Sequence, residues 1–307
     1  MTHMTAFTTL VLLCVMPVPD KTQLKFKHTE GTSAIAKTTS KIRQTLTIAN
    51  MDIETSQESS STISSSVGKR AANGRLPIDQ KLDSLSIQVN APNVNLSFDS
   101  ANPNTQNDNP MLQAILESIA ARVGPAHTVM LDKDNKVVAI EGADKILQRA
   151  TPAGAELLRR EIDPEKMRKS VEQGYGVLPP EPVGEGDTWT RTMTNRIGAG
   201  QTLTFETRFE YQGTVEKAGK KLHKIAVTAQ SVTYVQDDIP QAQLKVLQSN
   251  LKVETSKGTI LFDNEKGQTV ENTSVTRIVG DMTFSINGMD FPGKLDLTME
   301  SHSALQP

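Results

Sequence analysis

A single cysteine, Cys14, stands in the 307-residue sequence. That excludes an internal disulfide framework and every metal site built on several thiolates. Histidine is as thinly spread: His3, His28, His127, His223 and His302 stand apart. None has a second His or a carboxylate at the i+4 spacing that lets a helix aim two ligands at one ion. Neither sign of charge dominates. With 33 basic and 35 acidic residues, a net charge of −2, the chain has no electrostatic footprint for nucleic acid and no polybasic signal for anionic lipid. Aromatics make up 4% and apolar residues 36%, which points to a thin, sheet-built core and not a bulky helical one. The longest apolar run, Ala6 to Val18, falls short of the ~20 residues of a bilayer helix, so no integral membrane span is expected. A Gly-x-Ser-x-Gly elbow and a Gly-rich phosphate loop are also missing. No residue is therefore assigned a catalytic or metal-ligating role, no cofactor is expected, and binding residues stay unidentified at this level.

What stands out is a duplicated hairpin. Gly258 to Ser274 reads as strand, polar turn and returning strand, and its Thr259–Asp263 aligns without gaps on Thr128–Asp132. An acidic residue follows two positions later in each copy, Asp134 and Glu265. The chain divides accordingly: residues 1–19 resemble a signal peptide, and 20–307 form one domain with an internal repeat, its halves at 20–174 and 184–307. In the first half, Gln23 to Ile53 alternates as strands around a turn at His28–Gly31. Nine of the twelve residues from Thr55 to Ser66 are Ser or Thr; a linker would have this composition, but Ile63 and Val67 allow a strand on a solvent-facing edge, and a strand is the expectation. Lys69–Gly74 is a loop, then Leu82, Leu85, Ile87 and Val89 lead a strand, and Val94, Leu96 and Phe98 another. Asn109 and Pro110 form a cap and first turn for an apolar helical stripe from Leu112 to Val123, ended by Gly124. Asp132–Asn135 turns the hairpin.

Ala143 to Gly174 reads as two or three short helices, with Thr151-Pro152 and Asp163-Pro164 as starts and Gly174 as a stop. Tyr175–Gly186, rich in Pro and Gly, is irregular and marks the crossover between halves. Glu185-Gly186 then repeats Glu30-Gly31. Trp189 leads a strand, and Leu203, Phe205, Phe209 and Tyr211 line one face of the next. Ala218-Gly219 turns the chain. Asp238-Ile-Pro240 stands before Leu244, Val246 and Leu247 as Asn109-Pro110 stands before its helix, so a second covering helix is expected there. The last hairpin closes at Asn287-Gly288 or Pro292-Gly293.

Local motifs fit turns better than chemistry. Asp132-x-Asp134 begins like a calcium loop, but Lys136, Val137 and Ala143 occupy positions that need an acceptor, Gly and a bidentate Glu. Ser66-Val-Gly-Lys69 matches Ser-x-x-Lys outside the helix that motif requires. Asn95-Leu-Ser97 and Asn272-Thr-Ser274 are glycosylation sequons, relevant only in a eukaryotic secretory route.

Phe26-Lys27-x-x-Glu30-Gly31, Ser97-Phe-Asp-Ser100, Gly184-Glu-Gly-Asp187-x-Trp189 and Gly258-Thr-Ile-x-Phe-Asp263, taken in order, resemble a family of exported bacterial proteins of unknown function. The pattern is also similar at fold level to periplasmic lipoprotein-carrier half-barrels. The expected fold is α+β: a large, strongly curved antiparallel sheet from two related halves, with short helices on its concave side. Export follows from the apolar run and the break at Pro17 and Pro19; cleavage, lipidation of Cys14 and a buried N-terminal strand are the alternatives. Localisation is thus periplasmic or extracellular, in association with the envelope. The expected function is non-enzymatic binding of an apolar molecule or lipid on the concave face. The alternatives are an envelope protein that partners other proteins without a ligand, and a hydrolase with a site assembled from distant residues.

Overall fold

The computed structural model describes residues 21–198, 200–236, 244–286 and 288–306. The signal-like segment with Cys14, the Asp238-Ile-Pro240 start and Asn287 lie outside the described residues. The first half runs β1 (Ser33–Ile48), β2 (Met51–Val67), β3 (Leu76–Ala91), β4 (Val94–Asp99), α1 (Pro110–Ala121), β5 (Ala126–Leu131) and β6 (Val137–Glu141). Three helices follow, α2 (Asp144–Arg149), α3 (Pro152–Glu161) and α4 (Pro164–Tyr175). The second half is all strand: β7 (Thr188–Gly198), β8 (Gln201–Lys217), β9 (Lys220–Gln236), β10 (Leu244–Asp263), β11 (Gln268–Ile286) and β12 (Met289–Leu305). Eleven strands lie in the order β6-β5-β3-β2-β1-β12-β11-β10-β9-β8-β7, with β4 beside β3. Every pairing is antiparallel, and the sheet is open, with edges at β6 and β7.

The local chemistry is that of hairpins and caps. Ala218 and Gly219 both take positive φ, 50° and 71°, the geometry of a two-residue turn matched to strand twist. Asp132 Oδ1 accepts from Asp134 N and Lys136 N, and Asp263 Oδ1 accepts from Lys266 N. The duplicated acidic residue is thus a turn former in both copies. Asn109 accepts from Met111 N and Leu112 N, Thr151 from Gly154 N, and Asp163 from Lys166 N, each with proline in the first turn. The Ser-rich stretch is the strand β2, paired on both sides. A bulge at Asp83 sets the phase of β3, because Ile63 pairs Leu82 whereas Thr62 pairs Ser84. The extra residue keeps Leu82 on the same face as Leu85, Ile87 and Val89 despite their odd spacing.

Three expectations are corrected. Leu244, Val246 and Leu247 begin β10, not a helix, and pair with β11 from Leu244↔Ile286 onward; the alternation of Leu251, Val253 and the residues beyond joins them to one long strand. Gly174 does not end α4, which runs to Tyr175 with Gly176 as its cap. Pro292-Gly293 is not a turn: Pro292 pairs Thr283 inside β12, and the chain reverses between Ile286 and Met289.

Pairing parity fixes one inner face. Ile42, Met299 and Thr276 are opposite one another across β1, β12 and β11, as are Val227, Gly258 and Ser274 across β9, β10 and β11. On this face Leu203 and Phe205 of β8 pack with Ile48, Ile278, Phe284 and Leu297, although β8 and β1 lie five strands apart in the sheet order. The face is therefore concave: the β7–β9 layer folds over β11, β12 and β1. Among the described residues β9 and β10 share backbone pairs only from Val227↔Gly258 to His223↔Phe262, and beyond that they part as the two layers separate. The helices sit on the same concave face. Leu112, Leu116 and Ile119 of α1 pack on Ile87, Leu96 and Phe98, and Met167, Val171 and Tyr175 of α4 pack on Ile78, Val129 and Leu131. Helices α2 and α3 cover α1 through Ile146, Leu158 and Ala121.

Candidate functional site

A hollow of about 700 Å³ opens on the concave face between α4, β7–β9 and the central strands. Its position follows from the strands themselves. Along β12 the inward residues run Leu295, Leu297, Met299, Ser301, Ser303, and along β11 they run Met282, Gly280, Ile278, Thr276, Ser274. Each central strand is apolar at one end, where the two layers close into core, and hydroxylic at the other. The hollow sits at that change. Its apolar wall is Ile42, Met193, Phe205, Phe209, Val227 and Ile260; a hydroxyl belt of Ser40, Ser256, Ser274, Thr276 and Ser301 crosses it. Ser256 Oγ accepts from Ala229 N at 2.9 Å and lies 3.3 Å from Thr276 Oγ1, bridging the strands where β9 and β10 part. Gly258 is required in the floor: a Cβ there would lie 2.9 Å from the Thr273 carbonyl oxygen and 3.2 Å from Val227 Cβ.

Helix α4 straps the two edges of the open sheet. Its apolar stripe lies on the β3–β5–β6 end. From its other side Gln173 pairs with edge strand β7 as a strand would: Oε1 accepts from Thr194 N at 2.7 Å, and Nε2 donates to Thr194 O at 3.1 Å. The same side turns Lys166, Lys169 and Ser170 to the hollow. Beyond α4, Trp189 Nε1 donates to Val177 O and Arg191 Nε to Gly176 O, both at 2.9 Å, which pins the crossover. Trp189 stacks on Phe209 with centroids 5.6 Å apart. The C-terminal end of α4 is held by aromatic contacts, with the Phe26 and His28 rings 5.2 and 5.3 Å from Tyr175. Burial, reinforced by the Arg70 charge, lowers the His28 imidazole from its ordinary 6.5, and burial raises the Tyr175 phenol.

The four residues singled out on β8 are all buried but divide between roles. Phe205 and Phe209 line the hollow, and Leu203 belongs to the closed core. Tyr211 seals the far end, its Oη 2.8 Å from His223 Nδ1; burial raises that phenol and lowers that imidazole. Their cover is the opposite layer and the segments carrying Leu24, Leu178 and Val183. The hydroxyl belt and the cations of α4 were not singled out by sequence reasoning; the in-phase change from Leu to Ser along β12 was the signal that could have found the belt. The scattered histidines are not brought together, and among the described residues no three His, Cys, Asp or Glu cluster. A second, larger depression of about 950 Å³ lies on the outer face across β1–β3 and β10–β12. Hydroxyls line it, and its carboxylates are paired, Glu58 with Lys41 and Glu300 with Arg43. Its lining is chiefly Ser and Thr with Val275 as the one large aliphatic side chain, whereas Ile, Met, Phe and Val wall the inner hollow, which is the better ligand site.

A family model matches residues 73–269, from the start of β3 into β11, and so includes α4 and most of the strands that wall the hollow. The chain belongs to this family of unknown function, DUF6263. No curated protein matches the sequence. Among solved structures, one on lipid–protein interactions in lipovitellin is 8% identical with a TM-score of 0.43, over 92% of this chain and 26% of that one. The chain thus spans about a quarter of the length of that protein. DynF from the dynemicin pathway of Micromonospora chersina is 8% identical, TM-score 0.18, over 95% and 92% of the two chains. Pseudomonas aeruginosa OccK5 is 8% identical, TM-score 0.22, over 90% and 98%. At such TM-scores none of these likenesses carries weight for function. Among the described residues no helix is long and apolar enough to cross a membrane.

Proposed function

We propose that this chain is a non-enzymatic binding protein, exported to the envelope, that holds a lipid-like molecule against the concave face of its sheet. The observation that carries the reading is the hollow itself: a cleft of about 700 Å³ with an apolar wall, within the ~300–1,000 Å³ typical of small-molecule sites. The strap α4 covers it while the sheet edges supply a rigid frame. Export rests on the Ala6–Val18 run of the sequence.

The hydroxyl belt favours a second reading, an envelope protein that engages other proteins and whose hollow is filled by water. A hydrolase fits least, because the one carboxylate among the described lining residues, Glu300, alternates to the outer face, where Arg43 holds it at 2.9 Å. Uptake of a fluorescent fatty acid by the purified protein tests the proposal, with Ala229→Phe as the hollow-filling variant. Saturable uptake that the variant reduces at least tenfold, while its circular dichroism stays unchanged, supports binding in the hollow. Uptake by both proteins alike contradicts it.

A further inference from the structure

The floor of the hollow is hydroxylic and uncharged. Two residues along each strand from the inward row Ile42–Met299–Thr276 stand Ser40, Ser301 and Ser274, opposite one another across β1, β12 and β11, and Ser59 of β2 extends that row. Two residues further along, the row is Ser61, Thr38, Ser303 and Asn272. With strands ~4.8 Å apart and ~3.3 Å per residue, the patch measures roughly 14 by 7 Å. Ser40, Ser274, Ser301 and Asn272 line the hollow itself. Asn272 is exposed and the others are half-buried. Thr38 Oγ1 donates to Ser303 Oγ at 3.0 Å, whereas the hydroxyls of Ser40, Ser59, Ser61, Ser274 and Ser301 form no hydrogen bond with a described residue. The ionic residues around the hollow are turned away or engaged. Lys257 and Glu300 both pair with Val275 on the outer face, and Arg196 stands one residue from the inward Asn195. On α4, Lys169 is coupled to Glu165 and Lys166 is engaged as well. Across from this floor stands the apolar wall, with Phe205 and Phe209 of β8 at its centre.

We propose that the ligand is an amphiphile with an uncharged polyhydroxyl head, a sugar or a glycerol, seated on Ser40, Ser274 and Ser301 with its hydrocarbon tail against Phe205, Phe209 and Ile260. This rests on the binding function proposed above and adds the head-group class and the orientation of the ligand. Each serine hydroxyl offers one donor and two acceptors, so a row of them across adjacent strands matches a head that presents several hydroxyls of its own. A charged head would give up its water where no opposite charge in the floor replaces it. A bare hydrocarbon would leave the serines without partners.

Calorimetric titration of the full chain with octyl glucoside, monooctanoylglycerol, octanol, octyl phosphate and glucose, each below micelle formation, tests it. Octyl glucoside or monooctanoylglycerol should bind roughly tenfold or more tightly than octanol, as two or three neutral hydrogen bonds require, and octyl phosphate should gain nothing over octanol. The tighter of the two polyol amphiphiles names the source of the head. S40A/S274A/S301A should remove the preference while leaving octanol binding and the circular dichroism spectrum intact. S60A/T273A, on the outer face of β2 and β11, should change neither. The ranking of ligands on the unaltered chain stands whether or not the triple variant folds. Equal affinity for octanol and both polyol amphiphiles, or tighter binding of octyl phosphate than of either, would overturn the head-group assignment and leave the apolar hollow standing. Binding of glucose as tight as that of octyl glucoside would overturn the amphiphile. No binding of any amphiphile would overturn the hollow as a ligand site and this inference with it.

Discussion

Two glycines show how far a single residue's environment decides the sign of a change. A Cβ on Gly280, in β11, would fall on the carbonyl oxygen of Asn250 and 2.8 Å from Leu251 Cα, both backbone atoms that cannot swing away. Gly280→Ala should therefore lower the urea midpoint by the equivalent of about 1–3 kcal/mol. Gly174, inside α4, has open space where its Cβ would stand, and Gly174→Ala should raise stability by about 0.5–1 kcal/mol through the helix entropy that glycine forfeits. Sequence alone suggested the opposite role for Gly174, as a stop, because glycine carries no label that separates a terminator from a tolerated interior position. Histidines set the acid response. His28, His127 and His223 all have their ordinary 6.5 lowered mainly by burial. The unfolded chain then binds protons that the folded chain refuses, so stability should fall as the pH drops below about 6.5 until the folded values are reached. His28→Phe should make that fall shallower in denaturation series between pH 7.5 and 5; an unchanged slope would contradict the assignment.

Elements with punctuation were the legible ones. Asn109-Pro110, Thr151-Pro152 and Asp163-Pro164 each combine an acceptor side chain with a residue that tolerates a missing N–H, and each starts a helix. The second-half counterpart did not follow, since a proline start says nothing about how the chain continues, and Leu244–Asp263 forms a strand with β11 as its template. What the alternation in β3 did not declare was its bulge: the three-residue step from Leu82 to Leu85 is read through only because Asp83 is extruded. Deleting Asp83 should make β3 regular, with Leu82, Leu85, Ile87 and Val89 still on the inner face against α1. The expected result is that cooperative unfolding is kept, read by calorimetry; its loss would contradict the assignment of Asp83 as the extra residue. The strap was legible as a helix but not as a strap, because its stripe of Met167, Val171 and Tyr175 names no partner. Val171→Asp should detach it, accelerating hydrogen exchange both in 164–175 and at Thr194, whose N–H loses Gln173; acceleration in the helix alone would show that α4 does not bind the β7 edge.

At the scale of the whole molecule, the curved antiparallel architecture was legible because long period-two strands joined by tight turns leave few other solutions. The hollow was only half legible. Phe205 and Phe209 marked its wall, but the layer folded over them is set by the parting of β9 from β10, which no local pattern announces. Strands of both halves share one sheet across the seam from Ala36↔Leu305 to Ile48↔Gly293, and the segment carrying Leu24 packs on β8–β10 of the other half. We infer that the halves fold as one unit: fragments 20–176 and 184–307 should be non-cooperative apart, and independent two-state unfolding of both would contradict this. The central claim is that the concave face carries a lipid-like ligand, and native mass spectrometry of protein purified from its own host, followed by lipid extraction, tests it most directly. A stoichiometric, extractable amphiphile is the predicted result; a ligand-free mass in every preparation, together with no uptake of a fluorescent fatty acid, would contradict it.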